Sequence, residues 1–458
     1  MASAGTAGMT GEAGGPGEVD RCTGQHHSGS DTVLCSASYL GGAGEDQVHG
    51  ADFTERGEVV LGGSFSRETW TLSDITLIEG SRGWLLRFSS DGYRLLGAAK
   101  LGNEINDLEA DPVNGTIVVG GDFGVAVLDS GTSQVLQRHA LNGEGAARVA
   151  VGTSGTVAAL TTSGVVWVFA EASEFRFEVQ GTPHDIAVHD ATESVLITGE
   201  QRIAPCPGAM PFLRSYTQDG SSVRWRGYET ITDSSFCSPT VGRRVVLGRD
   251  RLLYYAGAHR GADTVHLRNP SDATLPLEPM VRGGIDGYAS VEQLGDDWYG
   301  FVARFDPKTG EVRNAASIVG RPAEPPGSEE LGPAGRVLIH ALAADELGQV
   351  YVGGQMGCCS HQRDGSSLSG QKLPDYSMPE NTLLVFSSRF DQRLTWTTWT
   401  ATTPGDAVTT AVAGFRGRAV IGANLNADRG ALFTQRAFQP VAGGGGEGFF
   451  SVLPMKQE

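Results

Sequence analysis

The stretch Asp107-Leu-Glu-Ala-Asp-Pro-Val-Asn-Gly-Thr-Ile-Val-Val-Gly-Gly121 decides the fold. An apolar strand leads into a turn that contains Pro and Gly, and a second apolar strand then ends in two small residues, which is the pattern of a β-hairpin. Three other stretches follow the same plan, namely Gly50 to Gly63, Asp185 to Gly199 and His340 to Gly354. Recurrence of one supersecondary unit predicts a repeat architecture, in which each unit buries its apolar faces against its neighbours.

A second, aromatic-rich hairpin follows the first within each unit. Gly83-Trp-Leu-Leu-Arg-Phe-Ser-Ser-Asp-Gly-Tyr-Arg-Leu-Leu96 is one copy, and Gly300 to Arg313 and Phe212 to Trp225 repeat it. Two hairpins in succession make a four-stranded antiparallel unit, and units of roughly 40 to 60 residues have the size of a propeller blade. Long helices are not expected, because 65 Gly and 20 Pro punctuate the chain throughout.

The sequence therefore predicts an all-β fold, a seven-bladed β-propeller that occupies residues 31–458. The predicted blades begin near Asp46, Glu104, Gly143, Pro183, Ser235, Val337 and Gly405. The last blade offers only three strands of its own, which are Ala407 to Gly414, Arg418 to Ala423 and Gly448 to Leu453. We expect Thr32-Val-Leu-Cys-Ser-Ala-Ser-Tyr-Leu40 to supply the fourth strand, since this pairing closes the ring and removes an exposed strand edge.

Charge and hydropathy narrow the classes of partner. Lys and Arg total 35 against 53 Asp and Glu, so the formal net charge of −18 argues against a nucleic acid partner. The chain has no apolar run long enough to span a membrane. Residues 1–30 form a Gly- and Ala-rich stretch that we expect to be a flexible tether. It lacks the pattern of a secretory signal, so we expect that a leader, and with it a lipid anchor, has been lost.

Six cysteines form an even set without the paired spacing of a zinc site, and disulfides are the expected state. Cys22 with Cys35 and Cys206 with Cys237 are the predicted pairs. Adjacent Cys358 and Cys359 either form a strained vicinal disulfide, bond to separate loops or stay free, because neighbouring Cα atoms lie ~3.8 Å apart against a usual disulfide range of ~4.4 to 6.8 Å. Disulfides indicate an oxidising compartment, and hence an extracellular or cell-surface protein.

Ser38-Tyr-Leu-Gly-Gly-Ala-Gly-Glu-Asp46 resembles the Tyr-Leu-Gly-Gly-Ser-Gly-Asp-Asp signature of the bacterial β-propeller repeat family called SBBP. Gly300 to Asp306 and Gly348 to Gly354 are similar to other phrases of that repeat. The resemblance is clear at both ends of the chain and faint in the middle. It implies an extracytoplasmic surface protein, often a lipoprotein, with no shared catalytic residues.

Long connections are expected on one face of the predicted ring. They run from Phe65 to Gly83, Gln201 to Pro211, His259 to Trp298, Gln355 to Thr382 and Asn424 to Gly446. Loops on a rigid scaffold concentrate recognition residues, so this face is the predicted binding face. Aromatic side chains and the adjacent cysteines in these loops are the candidate ligand contacts, with packing of the loops as the alternative for the aromatic residues. The candidates are Trp70, Trp298, Tyr299, Tyr376, Cys358 and Cys359.

Histidines and carboxylates recur where the innermost strands begin. By alignment of the repeats, His49, Asp107, Asp185 and His340 converge on the mouth of the predicted central channel. Polar groups at such a mouth mostly hold water. The alternative is a site for a divalent cation or for acid-base chemistry, because imidazole and carboxylate groups suit both.

The sequence favours a non-catalytic binding or scaffold module on the bacterial surface or in an extracellular assembly. Its expected partner is a protein or a glycan, self-assembly is a variant of the same hypothesis, and no cofactor is expected. The alternative is a propeller hydrolase, a quinone-dependent oxidoreductase or a metal-binding protein. Asp306-Pro-Lys-Thr-Gly310 is weakly similar to the blade motif of the quinone enzymes, but Arg313 stands where their tryptophan is expected.

Overall fold

The computed structural model describes residues 31–70, 74–111, 113–171, 173–261, 263–278, 298–318, 336–357, 367–373, 380–399, 407–425 and 434–455. Regular structure in these residues is almost entirely strand. The helical segments among them are three single 3-10 turns, Asp190–Thr192, Ser234–Phe236 and Val265–Leu267. No helix in the described part of the chain has the length and apolar character needed to cross a membrane.

Seven antiparallel sheets contain the main strands of the described residues, and we number them by the chain position of their innermost strand. Sheet 1 consists of Gln47–Phe53, Val59–Ser64, Gly83–Phe88 and Leu95–Leu101, with Ile75–Ile78 added in parallel at the outer edge. Sheet 2 consists of Ile105–Asp111, Thr116–Gly121, Gly124–Asp129 and Val135–His139. Sheet 3 consists of Ala146–Val151, Val157–Thr161, Val165–Ala170 and Ser173–Glu178.

The other four sheets follow the same order of strands. Sheet 4 consists of Thr182–His189, Ser194–Arg202, Ala209–Thr217 and Val223–Gly227. Sheet 5 consists of Thr240–Leu247, Leu253–Arg260, Trp298–Phe305 and Val312–Ile318. Sheet 6 consists of Val337–Ala344, Val350–Met356, Glu380–Phe386 and Arg393–Thr397. Sheet 7 consists of Val408–Phe415, Arg418–Leu425, Glu447–Pro454 and Ser36–Leu40.

Two small sheets lie outside this set. Asp31–Thr32 pairs in parallel with Ser367–Leu368, which also pairs with Gln371–Lys372. Arg268–Asn269 pairs with Asp272–Pro276.

The first strand of each sheet is its innermost strand. It contacts the first strand of the next sheet along the chain, and the first strand of sheet 7 contacts that of sheet 1. An apolar cluster fills the space between each sheet and its neighbour, as between sheets 2 and 3, where Val118 and Val125 pack on Val149 and Trp167. The predicted all-β, propeller-like fold is therefore confirmed.

The residue pattern explains why the sheets stack in this way. All six residues of Val59–Ser64 are buried, because a sheet inside the stack is covered on both faces. The strands accordingly read as runs of Val, Ile and Leu, which suit the pleated backbone and fill both inter-sheet layers. Trimming such a side chain to Ala inside a layer typically costs about 2 to 5 kcal/mol.

Sheet 7 takes its outermost strand from the other end of the described chain. Ser36–Leu40 runs antiparallel to Glu447–Pro454, from the pair Ser36 and Val452 to the pair Leu40 and Gly448. Phe450 of this sheet packs on Phe88 of sheet 1, with ring centroids 4.8 Å apart. The sequence nominated Thr32 to Leu40 for this place, and the closure of the ring that it implies stays a prediction.

The predicted disulfide between Cys206 and Cys237 is confirmed, with a sequence separation of 31 residues. It joins the connection before the third strand of sheet 4 to the 3-10 turn that precedes sheet 5. Cys35 is also disulfide-bonded. Cys22 lies outside the described residues, as do Cys358 and Cys359, so the pairing of these three cysteines stays a prediction.

Candidate functional site

A central cavity of about 430 Å³ lies where the innermost strands meet. All seven sheets contribute residues to its wall, and every contribution comes from an innermost strand or from the turn that follows it. One end of the cavity, which we call the arginine mouth, lies where these strands begin, beside His49, Asp107, Asp185 and Arg244. The far mouth lies where they end, beside Asp111, Arg249 and Arg416.

Each innermost strand carries a β-bulge near its start. The pairing with the second strand skips one residue in every sheet. The residues skipped, from sheet 1 to sheet 7, are His49, Asn106, Ala147, His184, Arg243, His340 and Thr410. A bulge re-aims the side chains around it, so seven equivalent positions ring the arginine mouth.

Side chains at the bulges connect neighbouring sheets. Asn106 Nδ2 donates to the carbonyl oxygen of Ala146 over 2.9 Å, from sheet 2 to sheet 3. His184 Nδ1 donates to Gly242 O over 2.6 Å, from sheet 4 to sheet 5. Thr410 Oγ1 donates to Val48 O over 2.6 Å, from sheet 7 to sheet 1. These bonds repeat one geometry around the mouth and satisfy carbonyl groups at the edge of each innermost strand.

Carboxylates satisfy the N–H groups of the same edges. Asp185 Oδ2 accepts the Val245 N–H over 2.8 Å, and Asp107 Oδ2 accepts the Val149 N–H over 3.1 Å. An inner strand edge has no ladder partner, so an acceptor from the preceding sheet replaces it. Buried carboxylates in this position act first as structural acceptors between sheets.

The corresponding positions in sheets 3 and 5 carry arginines that converge on sheet 4. Arg148 Nε lies 3.7 Å from Asp185 Oδ1, and Arg244 Nε lies 3.4 Å from Asp185 Oδ2. Asp185 is only 4% exposed, so these charges meet where water screens them weakly. The two guanidinium groups share the Asp185 carboxylate, and Asp107 is a second buried carboxylate close enough to act on both.

The electrostatic environment of the mouth histidines reflects those arginines. Burial, followed by the charges of Arg243, Arg244, Arg148 and Arg336 in that order of effect, lowers the pKa of His340 to about 4. Burial and then Arg148 lower the pKa of His49 to about 4 as well. Both imidazoles are therefore neutral at pH 7.

The far mouth is crossed by an ion pair between sheets that are not neighbours. Arg249, in the turn after the first strand of sheet 5, donates to Asp52 Oδ1 and to Phe53 O of sheet 1, each over 2.9 Å. Glu109 of sheet 2 lies beside Asp52 of sheet 1. Its carboxylate accepts the Val151 N–H over 3.0 Å. Burial, followed by the charge of Asp52, raises the pKa of Glu109 well above its usual range.

Of the four mouth residues predicted from sequence, His49, Asp107 and Asp185 line the cavity. His340 occupies the bulge position of sheet 6, as His49 does in sheet 1. A binding role for these residues stays a prediction. The sequence analysis missed Arg148 and Arg244, which change the electrostatic character of the mouth. No group of three or more His, Cys, Asp or Glu side chains within the described ranges is arranged to hold a metal ion. The guanidinium groups of Arg148 and Arg244 lie against Asp185, and the divalent-cation alternative stays untested.

The predicted aromatic contact residues differ in how far they are buried. Trp70 and Tyr299 are buried, Trp70 against Phe65 and Phe438 and Tyr299 against His259, which favours the loop-packing alternative for both. Trp298 is half-buried beneath the Arg260 guanidinium, 4.9 Å from its ring centroid. Tyr376, Cys358 and Cys359 lie outside the described residues.

Connections between second and third strands leave from the face that holds the arginine mouth. They are long in four sheets, at 65–82, 261–297, 357–379 and 426–446. The expected long connection in sheet 4 is instead a short one, 203–208, because both flanking strands extend to nine residues. We call this side the long-loop face. Turns on the other face, such as 152–156 and 345–349, are short throughout the described chain.

No family model matches the sequence, and no curated protein matches it. The crystal structure of the WD40 β-propeller domain of Doa1 is similar, with a TM-score of 0.46 and 10% sequence identity over 93% of this chain and 97% of that chain. The sheets of this protein, and not that similarity, establish its propeller-like fold. The resemblance to the SBBP repeat family stays a prediction.

Proposed function

We propose that the chain is a closed seven-bladed β-propeller that binds a partner without catalysis, on the bacterial surface or in an extracellular assembly. Seven sheets in one repeating order support the blade count. The pairing of Ser36–Leu40 with Glu447–Pro454 supports closure. A propeller-like fold is consistent with a binding or scaffold role, because it presents a rigid frame with variable loops.

One observation carries the proposal: the long connections and the arginine mouth share a face. On that face hydrogen bonds from the bulges hold neighbouring sheets together, so the strand ends that carry the loops are held in a rigid frame. A protein or glycan surface that docks there meets long loops around a polar opening. Within the described ranges, the connections on the opposite face are short turns, which give a partner little area to contact.

Export is the second part of the proposal. The disulfide between Cys206 and Cys237, together with the disulfide-bonded state of Cys35, supports an oxidising compartment. The excess of acidic residues keeps such a protein soluble and repels polyanions over most of its surface.

The test compares substitutions of exposed residues on the two faces. The full chain is probed on a glycan array and by cross-linking to surface proteins of the producing cell. Binding is then repeated with Glu68→Arg and Pro207→Arg, which alter exposed residues of the long-loop face. Tyr93→Ser and Leu347→Ser are the controls, because these side chains are 49% and 41% exposed in turns of the other face.

The proposal expects the first pair of variants to lose binding and the second pair to retain it. Equal loss in both pairs, or loss confined to Tyr93→Ser and Leu347→Ser, would contradict the assignment of the binding face. Turnover of a glycan or peptide during the same incubations would contradict the non-catalytic role.

A further inference from the structure

Positive charge collects at the arginine mouth of a chain whose net charge is −18. Four guanidinium groups act on His340 there, those of Arg148, Arg243, Arg244 and Arg336. Two buried carboxylates oppose them. Asp185 is shared between Arg148 and Arg244. Burial raises the pKa of Asp107 and lowers the pKa of Arg148. Glu104 is a more distant acid that faces His49 at 3.9 Å and is half exposed.

Several donors at the mouth lack acceptors. Nε of Arg148, Nε of Arg244 and Nε2 of His49 are buried and have no hydrogen-bond partner among the described residues. The two Nε groups lie within ion-pair distance of Asp185 without the geometry of a hydrogen bond to it. A buried donor without a partner costs about 1 to 3 kcal/mol, so a site that collects several calls for a ligand that accepts hydrogen bonds.

The cavity leaves room beside these donors. Small residues form part of its wall, Ala341 and Ala343 in sheet 6 and Ala411 and Ala413 in sheet 7, among larger ones such as Leu342 and Val412. Arg244 lines the cavity from sheet 5, and Arg148 reaches Asp185, another lining residue, from sheet 3. A volume of about 430 Å³ lies within the range of small-molecule sites, roughly 300 to 1,000 Å³.

We propose that the arginine mouth binds a small organic anion, with a carboxylate or phosphate group held by Arg148 and Arg244. The body of the ligand extends into the cavity beside Ala341 and Ala411. Guanidinium groups match the planar, two-oxygen geometry of carboxylate and phosphate, and the low exposure of the site strengthens each charged hydrogen bond. This inference rests on the proposed binding function and adds the chemical class of one ligand on the same face.

Isothermal titration calorimetry on the full chain tests the inference, with inorganic phosphate and succinate as separate probes at pH 7 and low ionic strength. Arg148→Gln and Arg244→Gln each remove one guanidinium, and about a tenfold or greater loss of affinity is expected. Arg138→Gln is the matched control, because Arg138 is exposed on the outermost strand of sheet 2. Tighter binding of phosphate than of succinate assigns a phosphate group, and the reverse assigns a carboxylate.

Asp185→Asn gives a change in the opposite direction. It removes the carboxylate that competes for both arginines and keeps an oxygen that accepts the Val245 N–H. Affinity for the better probe is expected to rise about tenfold, a gain that partial unfolding cannot produce. Unchanged near-ultraviolet circular dichroism verifies that each variant is folded.

Saturable binding that falls in Arg148→Gln and Arg244→Gln, rises in Asp185→Asn and stays constant in Arg138→Gln supports the inference. No saturable binding of either probe, or equal affinity in all four variants, would overturn it. The variants of the two faces test the proposed function separately. If Glu68→Arg abolishes partner binding but neither phosphate nor succinate binds the protein, the anion site is refuted and the proposed function stands.

Discussion

Replacing Asp185 with Ala is the most informative perturbation of stability, because this side chain joins three sheets. It is 4% exposed, accepts the Val245 N–H over 2.8 Å and lies within 3.7 Å of Arg148 and 3.4 Å of Arg244. Truncation leaves one backbone donor and two guanidinium groups without their shared acceptor.

The expected cost follows from those contacts. Breaking a buried ion pair by removing one partner typically destabilises a protein by about 3 to 5 kcal/mol, because it leaves an uncompensated charge. The Arg244 side chain is 16% exposed, so its ion pair with Asp185 counts as buried and its loss should cost an amount in this range. The Arg148 side chain is 31% exposed and partly solvated, so the loss of its ion pair costs less. We therefore expect Asp185→Ala to lower the free energy of unfolding by about 3 kcal/mol.

Equilibrium unfolding in urea measures this change, with Asp185→Asn and Glu178→Ala beside it. Asn retains the hydrogen-bond acceptor, so its cost is expected to lie near half that of Ala. Glu178 is exposed on the outermost strand of sheet 3, and its removal is expected to change stability by less than about 0.5 kcal/mol. A cost for Asp185→Ala as small as that of Glu178→Ala would refute the view that this carboxylate joins the sheets.

Three further predictions concern other parts of the structure. Replacing Cys206 and Cys237 with Ser opens a 31-residue loop and is expected to cost about 3.7 kcal/mol from chain entropy, measured by the urea midpoint; a loss below 1 kcal/mol would contradict it. Burial lowers the pKa of His259 to about 4, so the unfolded chain takes up a proton that the folded state refuses. His259 alone should therefore lower the free energy of unfolding by roughly 3 kcal/mol as pH drops from 6.5 to 4, in addition to the same effect at His49 and His340. His259→Gln should reduce the total loss by about that amount, whereas an unchanged slope would count against it. Gly92 has φ +73° in a turn of sheet 1, and a Cβ there would overlap Ser36 Oγ, so Gly92→Ala is expected to cost about 1 to 3 kcal/mol in thermal unfolding, with a neutral result as the contrary outcome.

Local patterns in the sequence located most of the strands. The last sheet was expected from Ala407, Arg418 and Gly448, and its strands begin at Val408, Arg418 and Glu447. The largest difference is at sheet 5, where the start was placed near Ser235 and the strand begins at Thr240. The polar run before that strand forms a 3-10 turn capped by the Asp233 side chain, and this turn resembles a strand start in sequence.

Only the histidines and carboxylates of the arginine mouth were predicted from the sequence, and its arginines were not. Repeat alignment found His49, Asp107, Asp185 and His340, because their hairpins are clear copies of one another. Sheets 3 and 5 have weaker repeats, so Arg148 and Arg244 were not aligned with the acids. The β-bulges show the correct alignment of the repeats. Ala147-Arg148 and Arg243-Arg244 occupy the same positions in the pairing of first and second strands as Asn106-Asp107.

Burial of loop aromatics depends on contacts that a single sequence does not reveal. Trp70 stacks on Phe438 with ring centroids 6.1 Å apart, and Arg67 covers both rings. The partners come from opposite ends of the chain and meet only because sheet 7 lies beside sheet 1. The position of Trp70 in a loop therefore did not predict whether its side chain is exposed or packed against the sheets.

Hydrogen exchange of the backbone amides in Ser36–Leu40 tests the central claim, closure of the ring, most directly. Deuterium uptake is followed by mass spectrometry on the full chain under native conditions, and peptides from this segment are compared with peptides from Glu447–Pro454. Closure predicts slow exchange of the two segments at similar rates, because they share one ladder of hydrogen bonds. Fast exchange of Ser36–Leu40 beside a protected Glu447–Pro454 would contradict it.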